Sequence, residues 1–304
     1  MAAAPVPVGL ALGMGGARGF CHVGVFRALD ELGISVDRVS GSSMGALVGA
    51  AWAAGRLDAL EDWARSLTRT KFLGYIDLRL SGGGFVAGNE IPRLLDELGI
   101  PLAIEELGCP FGAVATDLQT GREVWFSRGE IRPAIRASVS IPGVLTPVHH
   151  GGKWLVDGAL SDPVPVMGCR ALGSGPVLAV DPNGFGPAGF WTPPAPSAGL
   201  TGPLMAHLRA GSQAVGLGSW LAAPEPAPPA AVPPHYMDVI WASVDIVSSA
   251  VMRMRLAASP PDLMLEVPLR DLSILEFEKA AEAIEAGHRA VMASADEIGA
   301  LAGL

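Results

Sequence analysis

The segment Gly41-Ser42-Ser43-Met44-Gly45 sets a serine between two glycines at the spacing of a nucleophile elbow. Such a turn doubles the backbone back on itself, so a side chain at either flanking position clashes. The strain pushes the Ser43 hydroxyl outward, and a helix starting at the turn aims its positive end at that hydroxyl. The chemistry this suits is attack on an acyl carbonyl. The pentapeptide is weak evidence by itself in a chain with 39 glycines, and a glycine-rich turn with a capping serine is the plain alternative.

An acyl-transfer site also needs donors for the tetrahedral oxyanion, each worth roughly 3–4 kcal/mol. Gly13-Met14-Gly15-Gly16-Ala17-Arg18-Gly19 follows a short apolar run and can turn successive backbone N–H groups toward negative charge. Gly15 and Gly16 are the main candidates, with the Arg18 backbone as a third. The Arg18 side chain suits a structural role, tying loop to sheet, as well as a catalytic one. The loop has no Gly-Lys-Ser/Thr ending, so it is not a phosphate-cradling P-loop. Arg18 also stands where the dinucleotide fingerprint requires its third glycine.

Ser43 then needs a base. The six histidines are His22, His149, His150, His207, His235 and His288, and none has a context that calls for a triad. His22 reads as a hydrogen-bonded packing residue on the first helix, and His149-His150 as an exposed turn. Asp157 in Lys153-Trp154-Leu155-Val156-Asp157-Gly158-Ala159 is the stronger candidate. It ends an apolar strand, and Gly158 lets the chain turn away and leave the carboxylate facing a cleft. A partly buried aspartate has the raised proton affinity that a direct Ser–Asp pair requires. Taken alone, an aspartate capping a turn explains the same residues.

The elements that must position these groups follow a parallel α/β rhythm. Strands are expected at Val6–Leu12, Ile34–Val39, Phe111–Thr116, Glu123–Phe126, Trp154–Val156, Val177–Val180 and Leu263–Val267. Helices are expected at Phe20–Leu32, Ala46–Ala54, Asp58–Leu67, Ile131–Ser138, Tyr236–Leu256 and Ile274–Met292, the last with Phe277 and Ile284 inward. Another helix, capped by Asn89, should bury Ile91, Leu94, Leu95 and Leu98. In Tyr236–Leu256 the stripe Val239, Ile240, Val244, Val247, Val251 and Met254 is expected to pack on the core. About 185–234 is rich in Pro, Gly and Ala, and reads as an insertion, either a surface loop or a mobile apolar lid.

The 304 residues are half hydrophobic, with few aromatics and a formal charge of −9. Such a core relies on small residues and close backbone packing. No basic stripe exists for nucleic acid. Cys21, Cys109 and Cys169 are too few and too scattered for a disulfide framework or a zinc site, and read as buried thiols. No secretory leader and no run of about 18 apolar residues is evident, so a cytoplasmic protein is expected.

Taken together, the glycine loop, the elbow and Asp157-Gly158-Ala159 resemble the patatin-like phospholipases, most closely the bacterial branch. Ala115-Thr116-Asp117-Leu118-Gln119-Thr120-Gly121 and Ala137-Ser138-Val139-Ser140-Ile141-Pro142, running on to Pro147-Val148, are similar to further segments of that family. Met14 departs from the family by replacing the first glycine of the loop. The resemblance implies one acyl-hydrolase domain over residues 1–304, folded as a three-layer α/β/α sandwich with a mainly parallel central sheet. It implies a Ser43–Asp157 dyad, an oxyanion hole at Gly15 and Gly16, and no metal or organic cofactor. The substrate class it implies is a lipid or other acyl ester, met at the membrane periphery. Two other readings stand beside it: an α/β-hydrolase with a Ser-Asp-His triad, and a non-catalytic lipid-binding or regulatory scaffold on the same fold.

Overall fold

The computed structural model describes residues 5–68, 70–71, 84–86, 88–184, 189–190 and 236–304. The chain divides into two compact units, Met1–Ala188 with Ser243–Leu304, and Gly189–Ala242. The expected insertion at about 185–234 lies outside the described residues apart from 189–190. Everything said below of the site belongs to the first unit.

The described residues form ten strands: β1 Val8–Leu12, β2 Val36–Ser42, β3 Gly84–Val86, β4 Phe111–Asp117, β5 Glu123–Phe126, β6 Gly143–Leu145, β7 Val148–His150, β8 Lys153–Asp157, β9 Val177–Asp181 and β10 Leu263–Glu266. The central sheet runs β10-β9-β1-β2-β4-β8-β7, with β5 also paired to β4. Its first five strands are parallel, and β5, β8 and β7 are antiparallel. β3 and β6 form a separate parallel pair. The helices are α1 Cys21–Glu31, α2 Met44–Ala53, α3 Leu57–Arg65, α4 Glu90–Glu97, α5 Ile131–Ser138, α6 Val166–Leu172, α7 Tyr236–Ala258, α8 Ala280–Ala293 and α9 Ala295–Leu301.

Successive strand residues point to opposite faces, and each face buries its own cluster. Leu10, Leu12, Val39, Leu178 and Val180 join the large core shared with α1, α2 and α8. Ala11, Val177 and Ala179 pack on the other face against Val166 and Cys169 of α6 and Met252 of α7. The result is the expected α/β/α layering. Close backbone approach sets it, as composition suggested. A Cβ on Gly24 of α1 would lie 1.8 Å from Ile284 O, and one on Gly287 of α8 would lie 2.0 Å from Cys21 O.

Several expectations need correction. β2 runs three residues further than expected, straight into the elbow. Asn89 is exposed with a helical backbone, and its side chain caps nothing. His149 and His150 are exposed as expected but lie in β7 rather than a turn. Cys109 is only half-buried. In α7, Val247 and Met254 are 51% and 70% exposed, while Ser248, Ser249 and Met252 are buried. The inner side of that helix meets a small cavity lined by charged and polar residues together with Met14, Pro163 and Met252, so Ser248, Ser249 and Met252 face inward rather than Val247 and Met254.

Candidate active site

β2 and β8 share one edge of β4, end to end. β2 pairs in parallel as far as Ser42 opposite Val114. β8 pairs antiparallel and ends with Asp157 opposite Ala115. β5 occupies the other edge. Two strands running in opposite senses therefore stop at adjacent positions, and the residues leaving their tips, Ser43 and Asp157, meet.

Ser43 has φ 54° and ψ −123°, and among the described residues no other non-glycine has a positive φ. Such a conformation costs about 1–3 kcal/mol and persists only where neighbours enforce it. Here they do. A Cβ on Gly41 would lie 2.4 Å from Ala46 N, and one on Gly45 would lie 2.3 Å from Leu12 O. The Ser43 N–H donates to Ser138 Oγ at 2.9 Å. The Ser43 hydroxyl donates to Asp157 Oδ2 at 2.7 Å, and Ala159 N–H donates to Asp157 Oδ1 at 2.9 Å.

The Asp157 backbone is fixed as well. Its N–H donates to Ser140 O at 3.0 Å, and Thr116 Oγ1 donates to its carbonyl at 2.8 Å. Arg136 Nη1 in turn donates to Ser140 Oγ at 2.6 Å. Asp157 is almost fully buried. Burial raises its pKa to about 7, against the opposing pull of the bonds from Ser43 and Ala159.

The Gly13–Gly19 loop reaches the elbow through Gly19, whose added Cβ would lie 2.5 Å from Met44 Cβ. Among the described residues, neither the Gly15 nor the Gly16 N–H has an acceptor. The Arg18 N–H, the third expected donor, is committed to Gly15 O at 3.1 Å. The Arg18 guanidinium is buried, with Nε donating to Leu272 O at 2.7 Å and Nη1 to Asn183 Oδ1 at 2.8 Å. His22 Nε2 donates to Gly13 O at 2.8 Å, and full burial lowers its pKa to about 4, so it is neutral. It packs under the loop, as expected of it.

Ser43 and Gly16 open onto an apolar cavity of about 140 Å³. Its walls are Met44, Leu47, Trp63, Ile91, Leu94, Val139, Ile141, Val144, Leu145 and Phe277, with Gly88 and Glu90 completing the lining. No described histidine bonds to Ser43 or Asp157. His207 and His235 lie outside the described residues. Among the described residues no group of three or more His, Cys, Asp and Glu could hold a metal ion.

Sequence reasoning missed Thr116, Ser138, Ser140 and Asn183 as supports. Ser138 and Ser140 stand in a segment marked as family-like, but nothing local connects them with Ser43 or Asp157. Asn183 carried no signal at all.

The patatin-like phospholipase family model matches residues 10–170. An uncharacterised NTE family protein of Mycobacterium tuberculosis is 38% identical, with 92% of this chain and 89% of that one covered. A lysophospholipase of Emericella nidulans is 33% identical over 61% of this chain, though over only 13% of its own length. The neuropathy target esterase of Drosophila melanogaster is 31% identical over 57% of this chain and 13% of its own. The crystal structure of VipD from Legionella pneumophila has a similar fold, with a TM-score of 0.50 at 15% identity, covering 96% of this chain and 67% of that one. By the extent of the family match and the full-length mycobacterial relative, the chain belongs to the patatin-like phospholipase family.

Proposed function

We propose that the protein is a serine acyl hydrolase of lipid esters, of phospholipase A or lysophospholipase type, working through a Ser43–Asp157 dyad. The observation that carries this reading is the 2.7 Å bond from a strained serine to a buried aspartate at the mouth of an apolar cavity. Asp157 accepts the Ser43 proton as Oγ attacks the ester carbonyl. The Gly15 and Gly16 N–H groups receive the oxyanion, Asp157 passes the proton to the departing oxygen, and the alcohol or lysolipid leaves. Water, activated by the same Asp157, then releases the acid from the acyl-enzyme. A base with a pKa near 7 is suited to both proton transfers at neutral pH.

The cavity supports an acyl chain as the buried part of the substrate. An apolar cavity of roughly 150 Å³ takes a ligand of benzene size, so about six carbons fit the enclosed part here. The names of the Emericella and Drosophila relatives make a single-chain lysophospholipid the first lipid to test. No described helix is long and apolar enough to cross a membrane, and the reading includes peripheral contact with a lipid surface.

The test is hydrolysis of a short-chain nitrophenyl ester and of lysophosphatidylcholine by the wild type, Ser43→Ala and Asp157→Asn. Both variants are expected to stay folded and lose turnover, and Ser43 alone should be labelled by a fluorophosphonate. Wild-type turnover in either variant removes that residue from the mechanism.

A further inference from the structure

The peptide planes that carry the two oxyanion donors are set from behind the loop. The carbonyl and the N–H of one peptide plane point in opposite directions. The Met14 carbonyl shares a plane with the Gly15 N–H. The Gly15 carbonyl shares one with the Gly16 N–H. Whatever grips those two carbonyls aims those two donors.

Asn183 grips the first. It follows β9 and is buried. Its Nδ2 donates to Met14 O at 2.8 Å, and its Oδ1 accepts from Arg18 Nη1 at 2.8 Å. Arg18 grips the second through its own N–H, 3.1 Å from Gly15 O. The two clamps are thus bonded to each other. Asn183 is fixed in turn by Asp181, whose Oδ1 accepts from the Asn183 N–H at 2.9 Å and lies 3.3 Å from Nδ2. Its carbonyl accepts from Arg270 Nε at 2.9 Å.

We infer that Asn183 is a positioning residue for the oxyanion. Among the described residues its side-chain amide is the one group that donates to Met14 O and accepts from Arg18 at once, and it thereby aims the Gly15 N–H at the carbonyl that Ser43 attacks. The inference rests on the acyl-hydrolase reading above. It predicts an effect on the charged tetrahedral state and little on the bound ester, because a neutral carbonyl in the ground state draws less from these donors.

The experiment compares Asn183→Leu and Asn183→Asp with the wild type and Ser43→Ala. Asn183→Leu removes both side-chain bonds. Asn183→Asp keeps the size and the acceptor for Arg18 but cannot donate to Met14 O, and it carries the test should Asn183→Leu fail to fold. Rates are normalised to folded protein by circular dichroism. Expected is a roughly 10- to 100-fold fall in kcat for a nitrophenyl ester with KM within about twofold. Affinity for an alkylboronic acid, whose Ser43 adduct places a charged oxygen in the hole, should fall in proportion. Unchanged kcat in a folded variant, or a loss carried by KM with boronate affinity intact, overturns the inference. Turnover retained in Ser43→Ala overturns the acyl-hydrolase reading, and this inference with it. A dead Ser43→Ala beside a fully active Asn183→Leu overturns the positioning role alone.

Discussion

The Gly13–Gly19 loop contributes to two cavities of opposite character. Gly16 lines the apolar one, about 140 Å³ with Ser43 in its wall. Met14 and Arg18 line the other, about 10 Å³, with Asp181, Asn183, Asp245, Ser248, Ser249 and Arg270 beside the apolar Pro163 and Met252. The first is built from side chains that bind by excluded water and shape, so its walls tolerate change in small steps. The second is lined by charges and amides, several of which hold one another, as in the 3.7 Å pair of Arg18 with Asp245. On the proposed reading the loop presents fixed donors to a variable apolar substrate, which calls for compliance in front and rigidity behind. Substitutions on the two sides should therefore fail differently.

The largest effect belongs to Asp157, the buried carboxylate bonded to the serine that opens onto the apolar side. Asp157→Asn is expected to lower kcat by roughly 10³-fold or more, as removal of a catalytic base does. The same change should stabilise the protein at high pH. Below the ordinary aspartate value of 3.8 both folded and unfolded chains hold the proton. Between there and about 7 only the folded chain keeps it, and above about 7 the fold must bury a carboxylate. Stability is thus lost as pH rises through that window, by up to about 4 kcal/mol. The unfolding midpoint of Asp157→Asn, relative to wild type, should climb between pH 4 and pH 8. A flat difference would mean that Asp157 is not held in its neutral form.

That aspartate was legible in the sequence, and so were Ser43 and the glycines, for a shared reason. Strained turns and close approaches exclude side chains, so the backbone demand is written locally as Gly41, Gly45, Gly16 and Gly158. The parallel strands were legible too, because burial on both faces makes them short continuous apolar runs. The supports were not. Ser138 touches Ser43 across 95 residues and Asn183 touches Met14 across 169, and a serine at a helix end or an asparagine in a loop has many local uses. β6 and β7 are three residues each, too short to show a period. The α7 stripe misled because periodicity reports which side is apolar, and here the inward side faces charges.

The next effect is of pH on rate. With Asp157 as base, kcat/KM should rise tenfold per pH unit below about 7 and level off above it, leaving about a hundredth of the plateau at pH 5. Asp162 is also raised to about 7, by burial and the nearby Glu123 carboxylate against the opposing pull of Arg255, so the assignment needs a control. Asp162→Asn is expected to keep the midpoint of the profile. A shifted midpoint would hand the titration to Asp162 and the turn beyond Asp157.

A smaller effect should come from filling the apolar side. Ile91 is half-buried in the cavity wall, where a larger ring costs less than at a sealed position. Ile91→Trp is expected to lower kcat/KM for an octanoyl ester by about tenfold while leaving an acetyl ester within about twofold, a methylene or two of lost binding. Equal losses for both chain lengths would place the acyl chain elsewhere.

The smallest effect tests the polar side. Ser248 is fully buried, and its Oγ has no hydrogen-bond partner among the described residues. Asp181 Oδ2, on the same cavity, is in the same position. A buried hydroxyl left unpaired costs about 1–3 kcal/mol, so removing it should be free or mildly favourable. Ser248→Ala is expected to leave kcat unchanged and shift stability by no more than about 1 kcal/mol upward in a urea titration. It differs in this from Asn183, which lines the same cavity but holds Met14 directly. A loss above about 1 kcal/mol would mean that the hydroxyl is engaged, and a cavity of about 10 Å³ is near the size of a single bridging water. Such a water between Ser248 and Asp181 would extend the rigid network behind the loop to α7, and Ser248→Ala would then slow turnover in step with the stability it removes.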